Sequence, residues 1–113
     1  MATAASPYPV AFAPPTDRLP PPTGSKEHGE VLLSKKNLRV ARLVVPPNAP
    51  MIEHRTPDDV VVIIAGGYGM FIVDGVTRRV ECGEVIAIAP GSVYAMSAHE
   101  EMELVFVHAR LAG

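Results

Sequence analysis

Residues 60–75 read VVVIIAGGYGMFIVDG, two apolar runs that are separated by a glycine-rich corner and closed by Asp74-Gly75. Valine and isoleucine favour extended backbone, and neither run has the length of an ordinary helix. Asp74-Gly75 is followed directly by a further extended segment, and this dipeptide is typical of the two-residue turn of a β-hairpin. The stretch therefore predicts two strands that meet at Gly66-Gly67 and a third strand that pairs with the second.

The same pattern continues on both sides of this stretch. Short runs rich in valine and isoleucine alternate with turn residues at intervals of about 8–12 residues, a spacing typical of a barrel or sandwich. The sequence predicts no helix of normal length and nine strands, at residues 31–34, 38–45, 51–55, 60–65, 68–73, 76–81, 85–89, 94–97 and 102–110. The fold class is therefore predicted to be all-β.

The first 28 residues differ in composition from the rest of the chain. Seven of the twelve prolines precede Ser25, and proline fixes φ and donates no backbone hydrogen bond. We predict that residues 1–28 form an extended, Pro-rich arm, with Tyr8 and Phe12 among its few large apolar side chains. Residues 29–113 are predicted to form one domain, because the chain is too short for two ordinary domains.

Composition argues against several classes of protein. Hydrophobic residues make up 48% and charged residues 19% of the chain, as in folded soluble domains. The net charge is −2 and no basic run is present, so nucleic acid is not an expected partner. The longest apolar run is too short to span a membrane, and no secretory signal is recognisable. Cys82 is the only cysteine, which favours a cytoplasmic location.

Several turn glycines resemble those of the cupin family, whose motifs read G-x5-H-x-H-x3-E-x6-G and G-x5-P-x-G-x2-H-x3-N. His54 and Gly67 match the first motif, and Gly83 and Gly91 match the second. The resemblance covers about residues 38–108. It implies a single cupin, a jelly-roll-like antiparallel β-barrel that carries the Pro-rich arm at its N-terminus.

The resemblance also implies where a metal would bind, since cupins hold a divalent metal with three histidines and a glutamate inside the barrel. The corresponding positions are His54, Thr56, Val60 and Tyr94. Only one of the four ligands remains, so we expect no metal and no other cofactor. Glu53 also carries ligand atoms, but strand alternation is expected to direct it to the face opposite His54. His99 and His108 lack the required spacing and are interpreted as a turn residue and a strand-end residue.

Alternation predicts a mostly apolar pocket inside the barrel. His54 is the candidate general acid or base, and Tyr94 is the candidate hydrogen-bond donor to a developing oxyanion. The predicted lining of the substrate pocket consists of Thr56, Val60, Val62, Met96 and Phe106. A purely structural role for His54 and Tyr94 remains the alternative.

Two charged pairs have alternative interpretations. Asp58-Asp59 follows Pro57 at the expected pocket mouth, where either carboxylate would be a solvated loop charge or a partner of His54. Arg78-Arg79 is interpreted as a solvated strand edge, with attraction of an anionic substrate as the alternative.

Three functions are compatible with these features. The first is a metal-independent isomerase, cyclase or lyase that transfers a proton on a small carbonyl compound. The second is a non-catalytic module that binds a small ligand, and the third is a metal-dependent oxygenase with atypical ligands. In each case the expected partners are a small molecule and a second copy of the chain, because an open barrel and an apolar arm leave edges to cover.

Overall fold

The structure, a computed structural model, describes residues 28–110. These residues form β1 (His28–Ser34), β2 (Leu38–Val45), β3 (His54–Arg55), β4 (Asp59–Val73), β5 (Val76–Glu81), β6 (Val85–Ile88) and β7 (Val93–Ala109). The all-β class is confirmed, and no helix able to cross a membrane occurs in this range. The predicted arm lies outside the described residues except for His28, which begins β1.

Two long strands replace four of the predicted short ones. The predicted strands 60–65 and 68–73 are parts of β4, and the predicted strands 94–97 and 102–110 fall in β7, which ends one residue earlier than predicted. The β4–β7 ladder shifts register three times between Ile64 and Gly69, so the glycine-rich corner bends β4 without ending it. A Cβ at Gly67 or at Gly69 would overlap a carbonyl oxygen of β7, which explains why glycine is needed there.

The bends fold one seven-stranded sheet into two facing layers. The first half of β4 and the second half of β7 pair with each other, with β6 at one edge and β2 and β1 at the other. The other halves of β4 and β7 pair with β5 and β3 respectively. Among residues 28–110 no ladder joins β1 to β3 or β5 to β6, so the barrel is open on two sides.

The predicted hairpin at Asp74-Gly75 is confirmed. Both residues have positive φ, 48° and 82°, and Val73 pairs with Val76 across the turn. The backbone N–H of Asp74 donates to the carbonyl of Val93 (2.8 Å), and the N–H of Val93 donates to Asp74 Oδ1 (2.9 Å). The hairpin tip therefore fixes the start of β7, one residue before Tyr94.

The core lies between the two layers. Val60, Val62 and Ile64 are at most 1% exposed, which confirms the predicted alternation of β4. Burial of such a side chain contributes roughly 1.5–3 kcal/mol. The intervening Val61 and Ile63 point outward and are each 37% exposed. The inward residues of β4 and β7 thus fill most of the barrel.

The third strand is shorter than predicted. Only His54–Arg55 pairs with β7, whereas residues 51–53 are exposed and outside any strand. Pro46, Pro47 and Pro50 precede this segment, and prolines cannot donate to a ladder. Strand alternation therefore does not apply to Glu53.

Candidate functional site

A cavity of about 510 Å³ opens on the side of the barrel between β2, β3 and β7. It is lined by Arg39, Ala41, Leu43, Glu53, His54, Arg55, Thr56, Asp58, Tyr94, Phe106 and His108. A second cleft, of about 300 Å³, opens on the opposite side between β5 and β6 and is lined mainly by aliphatic side chains. The first cavity is the candidate site, because the titratable and aromatic side chains converge there.

His54 and Tyr94 come together as predicted from the sequence. They are directly paired across β3 and β7, and their rings stack at a centroid distance of 5.3 Å with an interplanar angle of 20°. Tyr94 is 4% exposed, and its ring also lies 6.1 Å from that of Phe71 and 6.0 Å from that of Phe106. These contacts hold the phenol ring in one orientation and thereby position the imidazole of His54.

His108 lies at the end of β7, as the sequence predicts, and it also lines the cavity, which was not predicted from the sequence. It lies on β7 two residues after Phe106, on the same face, and its ring is 6.2 Å from the ring of Phe106. Burial lowers the pKa of His108 below its ordinary value of 6.5, the charge of Arg39 lowers it further, and Asp58 opposes both. The neutral imidazole is therefore favoured, as a general base requires.

The loop before β4 is held in place at the cavity mouth. The backbone N–H of Asp58 donates to Thr56 Oγ1 (3.2 Å), and Arg110 Nε donates to Asp58 Oδ1 (2.9 Å). This bond from Arg110 holds the pKa of Asp58 below its ordinary value of 3.8. The carboxylate of Asp58 is thus ionised and charge-balanced, and the hydroxyl of Thr56 supports the loop.

Glu53 lies on the same cavity as His54, so the expectation that it faces away was wrong. The expectation treated residue 53 as part of a strand, whereas β3 begins at His54. Arg39 is a further lining residue that sequence reasoning missed. It occupies an inward position of β2, opposite His108 on β7.

The remaining predicted pocket residues divide into two groups. Thr56 and Phe106 line the cavity. Val60, Val62 and Met96 are buried in the core and do not line it. Their side chains fill the centre of the barrel, so the cavity occupies only the end near β3.

The donors at the cupin ligand positions do not fit a metal. Val60 has no donor atom, and the hydroxyl of Thr56 accepts a bond from the loop. Within residues 28–110, no group of three or more His, Cys, Asp or Glu side chains is placed to hold a metal ion.

The other residues considered from the sequence lie elsewhere. His99 contacts Tyr68, with ring centroids 5.0 Å apart, and the guanidinium of Arg79 lies 5.0 Å from the centre of the Tyr68 ring. Arg78 lines the cleft between β5 and β6. Cys82 is exposed, and its thiol donates a 3.4 Å bond to the carbonyl of Ala65. None of these side chains lines the candidate site.

Comparisons with known proteins identify the fold. The sequence matches no protein-family model and no curated protein. Among solved structures, a cupin superfamily protein from Desulfitobacterium hafniense has a TM-score of 0.76 at 10% identity and covers 91% of this chain and 94% of its own. An RmlC-like cupin from Shewanella frigidimarina has a TM-score of 0.71 at 16% identity, covering 78% and 79%. A predicted oxalate decarboxylase from Thermotoga maritima has a TM-score of 0.69 at 22% identity, covering 75% and 81%. The chain therefore has the cupin fold.

Proposed function

We propose that this chain is a small-molecule enzyme of the isomerase, cyclase or lyase type, which transfers a proton on a carbonyl compound without a metal ion. The observation that carries the proposal is the convergence of His54, His108 and Tyr94 on one cavity of about 510 Å³. Removal of a proton next to a carbonyl requires a base and a hydrogen-bond donor to the oxygen that becomes negative. Imidazole and phenol groups supply these two functions.

In the proposed reaction, one imidazole accepts the proton from the carbon next to the carbonyl. The electron pair of the broken C–H bond forms an enolate, and the Tyr94 hydroxyl donates a hydrogen bond to its oxygen. The second imidazole returns a proton at a different atom in an isomerisation. His108 suits the role of the base, because its lowered pKa keeps it neutral near neutral pH.

The solved structures support a small-molecule role but no substrate. The Thermotoga maritima protein is described as a predicted oxalate decarboxylase, yet it shares only 22% identity with this chain. Proteins of one fold carry many different reactions, so the site itself has to carry the assignment. In this chain that site contains imidazole and phenol groups, and within residues 28–110 no group of three or more His, Cys, Asp or Glu side chains is placed to hold a metal ion.

Hydrogen–deuterium exchange tests proton transfer without knowledge of the final product. A panel of small ketones and oxo acids is incubated in D₂O with the protein, and NMR follows the loss of the proton next to the carbonyl. We expect exchange with the wild-type protein and a reduction of about 10²–10⁴-fold in His54→Gln and in His108→Gln. Tyr68→Phe, outside the cavity, is the control and should exchange normally.

Two outcomes would contradict the enzyme proposal. Undiminished exchange in both histidine variants would place the chemistry elsewhere. Binding of panel compounds without any exchange would identify a non-catalytic binding module instead. Elemental analysis of protein purified without chelator tests the metal-independent part, since stoichiometric transition metal would contradict it.

We also infer that the protein acts as a homodimer. The outer face of β6, β4 and β7 forms a continuous apolar surface, which we call the valine face, made of Val61, Ile63, Val85, Val105 and Val107. Val85 is 62% exposed and Ile63 is 37% exposed. A second copy would cover this surface through a two-fold interface, the commonest symmetry of soluble oligomers.

A further inference from the structure

We propose that Arg39 binds a carboxylate of the substrate, so that the cavity takes small oxo acids, in which a carbonyl and a carboxylate belong to one molecule. The reaction of such an acid rests on the proposed function. The binding of the acid does not, because a dissociation constant is measured without any reaction.

Arg39 is the exception in an otherwise apolar row. The other inward positions of β2 are Ala41, Leu43 and Val45, which pair with inward residues of β7. Arg39 pairs in the same way with His108, and both line the cavity. Side chains directly opposite on paired strands have Cβ atoms about 4.5–5.5 Å apart. A carboxylate held by Arg39 would therefore lie in the same cavity as the imidazole of His108.

The charges around the cavity leave Arg39 as the excess cation. Asp58 is neutralised by Arg110, and Glu53 and Arg55 at the rim have opposite charges. Within residues 28–110 no carboxylate forms an ion pair with Arg39. A guanidinium forms two parallel hydrogen bonds with a carboxylate, so an acid is the ligand that this residue recognises best.

Arg42, on the same strand as Arg39, is an arginine with a structural role. It lies on the opposite face of β2, is 5% exposed, and contacts Glu30 at 2.8 Å and Glu103 at 3.9 Å. Three residues earlier, Arg39 is exposed, faces the cavity and has no such carboxylate among the described residues. The contrast favours a ligand-binding role for Arg39.

Binding of an acid at Arg39 would also change the pKa of His108, the proposed base. The groups that act on His108 are Arg39 from β2 and Asp58 from the loop before β4, and Val60 of β4 pairs with it. Burial is the largest cause of the lowered pKa of His108, and the charge of Arg39 is the second. A bound carboxylate offsets the charge of Arg39, and this electrostatic effect raises the pKa of His108.

The test uses pyruvate and acetoacetate as probes, with pyruvamide and acetoacetamide as neutral counterparts. NMR titrations measure the dissociation constant of each probe and the pKa of His108 in the wild-type protein, in Arg39→Gln and in Arg78→Gln. Arg78→Gln removes the same charge outside this cavity and serves as the matched control. Amide spectra of each variant confirm that it is folded.

We expect at least one acid to bind the wild-type protein and Arg78→Gln, and to bind Arg39→Gln about tenfold or more weakly. The bound acid should raise the pKa of His108 in the wild-type protein and in Arg78→Gln. The neutral amides should bind all three proteins equally weakly. Equal affinity of an acid for wild-type protein and Arg39→Gln would overturn the proposal, as would wild-type protein that binds neither acid. Acid binding without hydrogen–deuterium exchange would leave this proposal standing and remove only the proposed catalysis.

Discussion

Substitution of Gly67 by alanine tests whether the bend of β4 is set by its contact with β7. Gly67 has a φ of 71°, and a Cβ there would overlap the carbonyl oxygen of Glu101. Gly75 in the hairpin has a φ of 82°, but a Cβ there meets nothing within 4 Å. The two positions therefore share the conformational cost of alanine and differ in the steric cost, so Gly75→Ala is the matched control.

The magnitude follows from these two terms. Left-handed backbone costs a residue with a Cβ about 1–2 kcal/mol, so Gly75→Ala should lower the free energy of unfolding by about 1 kcal/mol. Gly67→Ala adds a clash between backbone segments, which is relieved only if β4 moves away from β7 and weakens hydrogen bonds worth about 1 kcal/mol each. We expect a total loss of about 3 kcal/mol for Gly67→Ala.

Urea unfolding followed by circular dichroism measures both losses, and thermal melts give an independent value. Each kcal/mol lowers the Tm of a domain of this size by roughly 4 °C. The expected decreases are thus roughly 4 °C for Gly75→Ala and roughly 12 °C for Gly67→Ala. Equal losses in the two variants would refute the reasoning, because they would mean that the close approach of β4 and β7 at the corner costs nothing to open.

Three further predictions concern the cavity and the valine face. Because the pKa of Asp58 is lowered in the folded protein, the ionised carboxylate stabilises the fold at neutral pH, and this stabilisation is lost as the pH falls through that pKa. In unfolding experiments, wild-type protein should therefore be more stable than Asp58→Asn at neutral pH and lose this difference in acid. A constant difference in the free energy of unfolding at all pH values would contradict this. Ile63→Glu should convert the dimer to a monomer in light scattering while Val76→Glu, on another strand, leaves it intact, and a monomeric wild-type protein would exclude the interface. In urea unfolding, Tyr94→Leu should lose about 3 kcal/mol of stability, whereas Tyr94→Phe should lose about 1 kcal/mol or less. Tyr94→Phe should nevertheless lose hydrogen–deuterium exchange activity, and normal exchange in this variant would remove the hydroxyl from the mechanism.

Local chemistry was sufficient to predict the hairpin and the orientation of β4. Asp74-Gly75 forms its turn because both residues tolerate positive φ, and Val60, Val62 and Ile64 are buried because strand residues alternate. The sequence also predicts the glycine-rich corner as the place where one strand bends into the next, but it divides the continuous strand β4 into two. Whether such a corner ends a strand or bends it depends on the partner, and β7 lies far away in the sequence.

The site was harder to predict, because the local pattern does not show which inward residues pack in the core and which line an open cavity. His108 follows Phe106 by two positions, so alternation already placed both on one face of β7. What local pattern could not show is that Val60 and Met96 fill the barrel centre while the end near His108 stays open. Arg39 was missed for the same reason, since its partner across the ladder is a residue of β7.

The sharing of β4 and β7 between both layers limits how the barrel can admit a ligand. The two layers could separate only if both long strands broke at their bends, so the layers cannot move apart as rigid bodies. The segment before β4 is different, because only His54 and Arg55 pair with β7. Local opening of this short strand is therefore expected to cost less free energy than opening at either long strand, which makes the β3 side the easiest part of the cavity wall to displace.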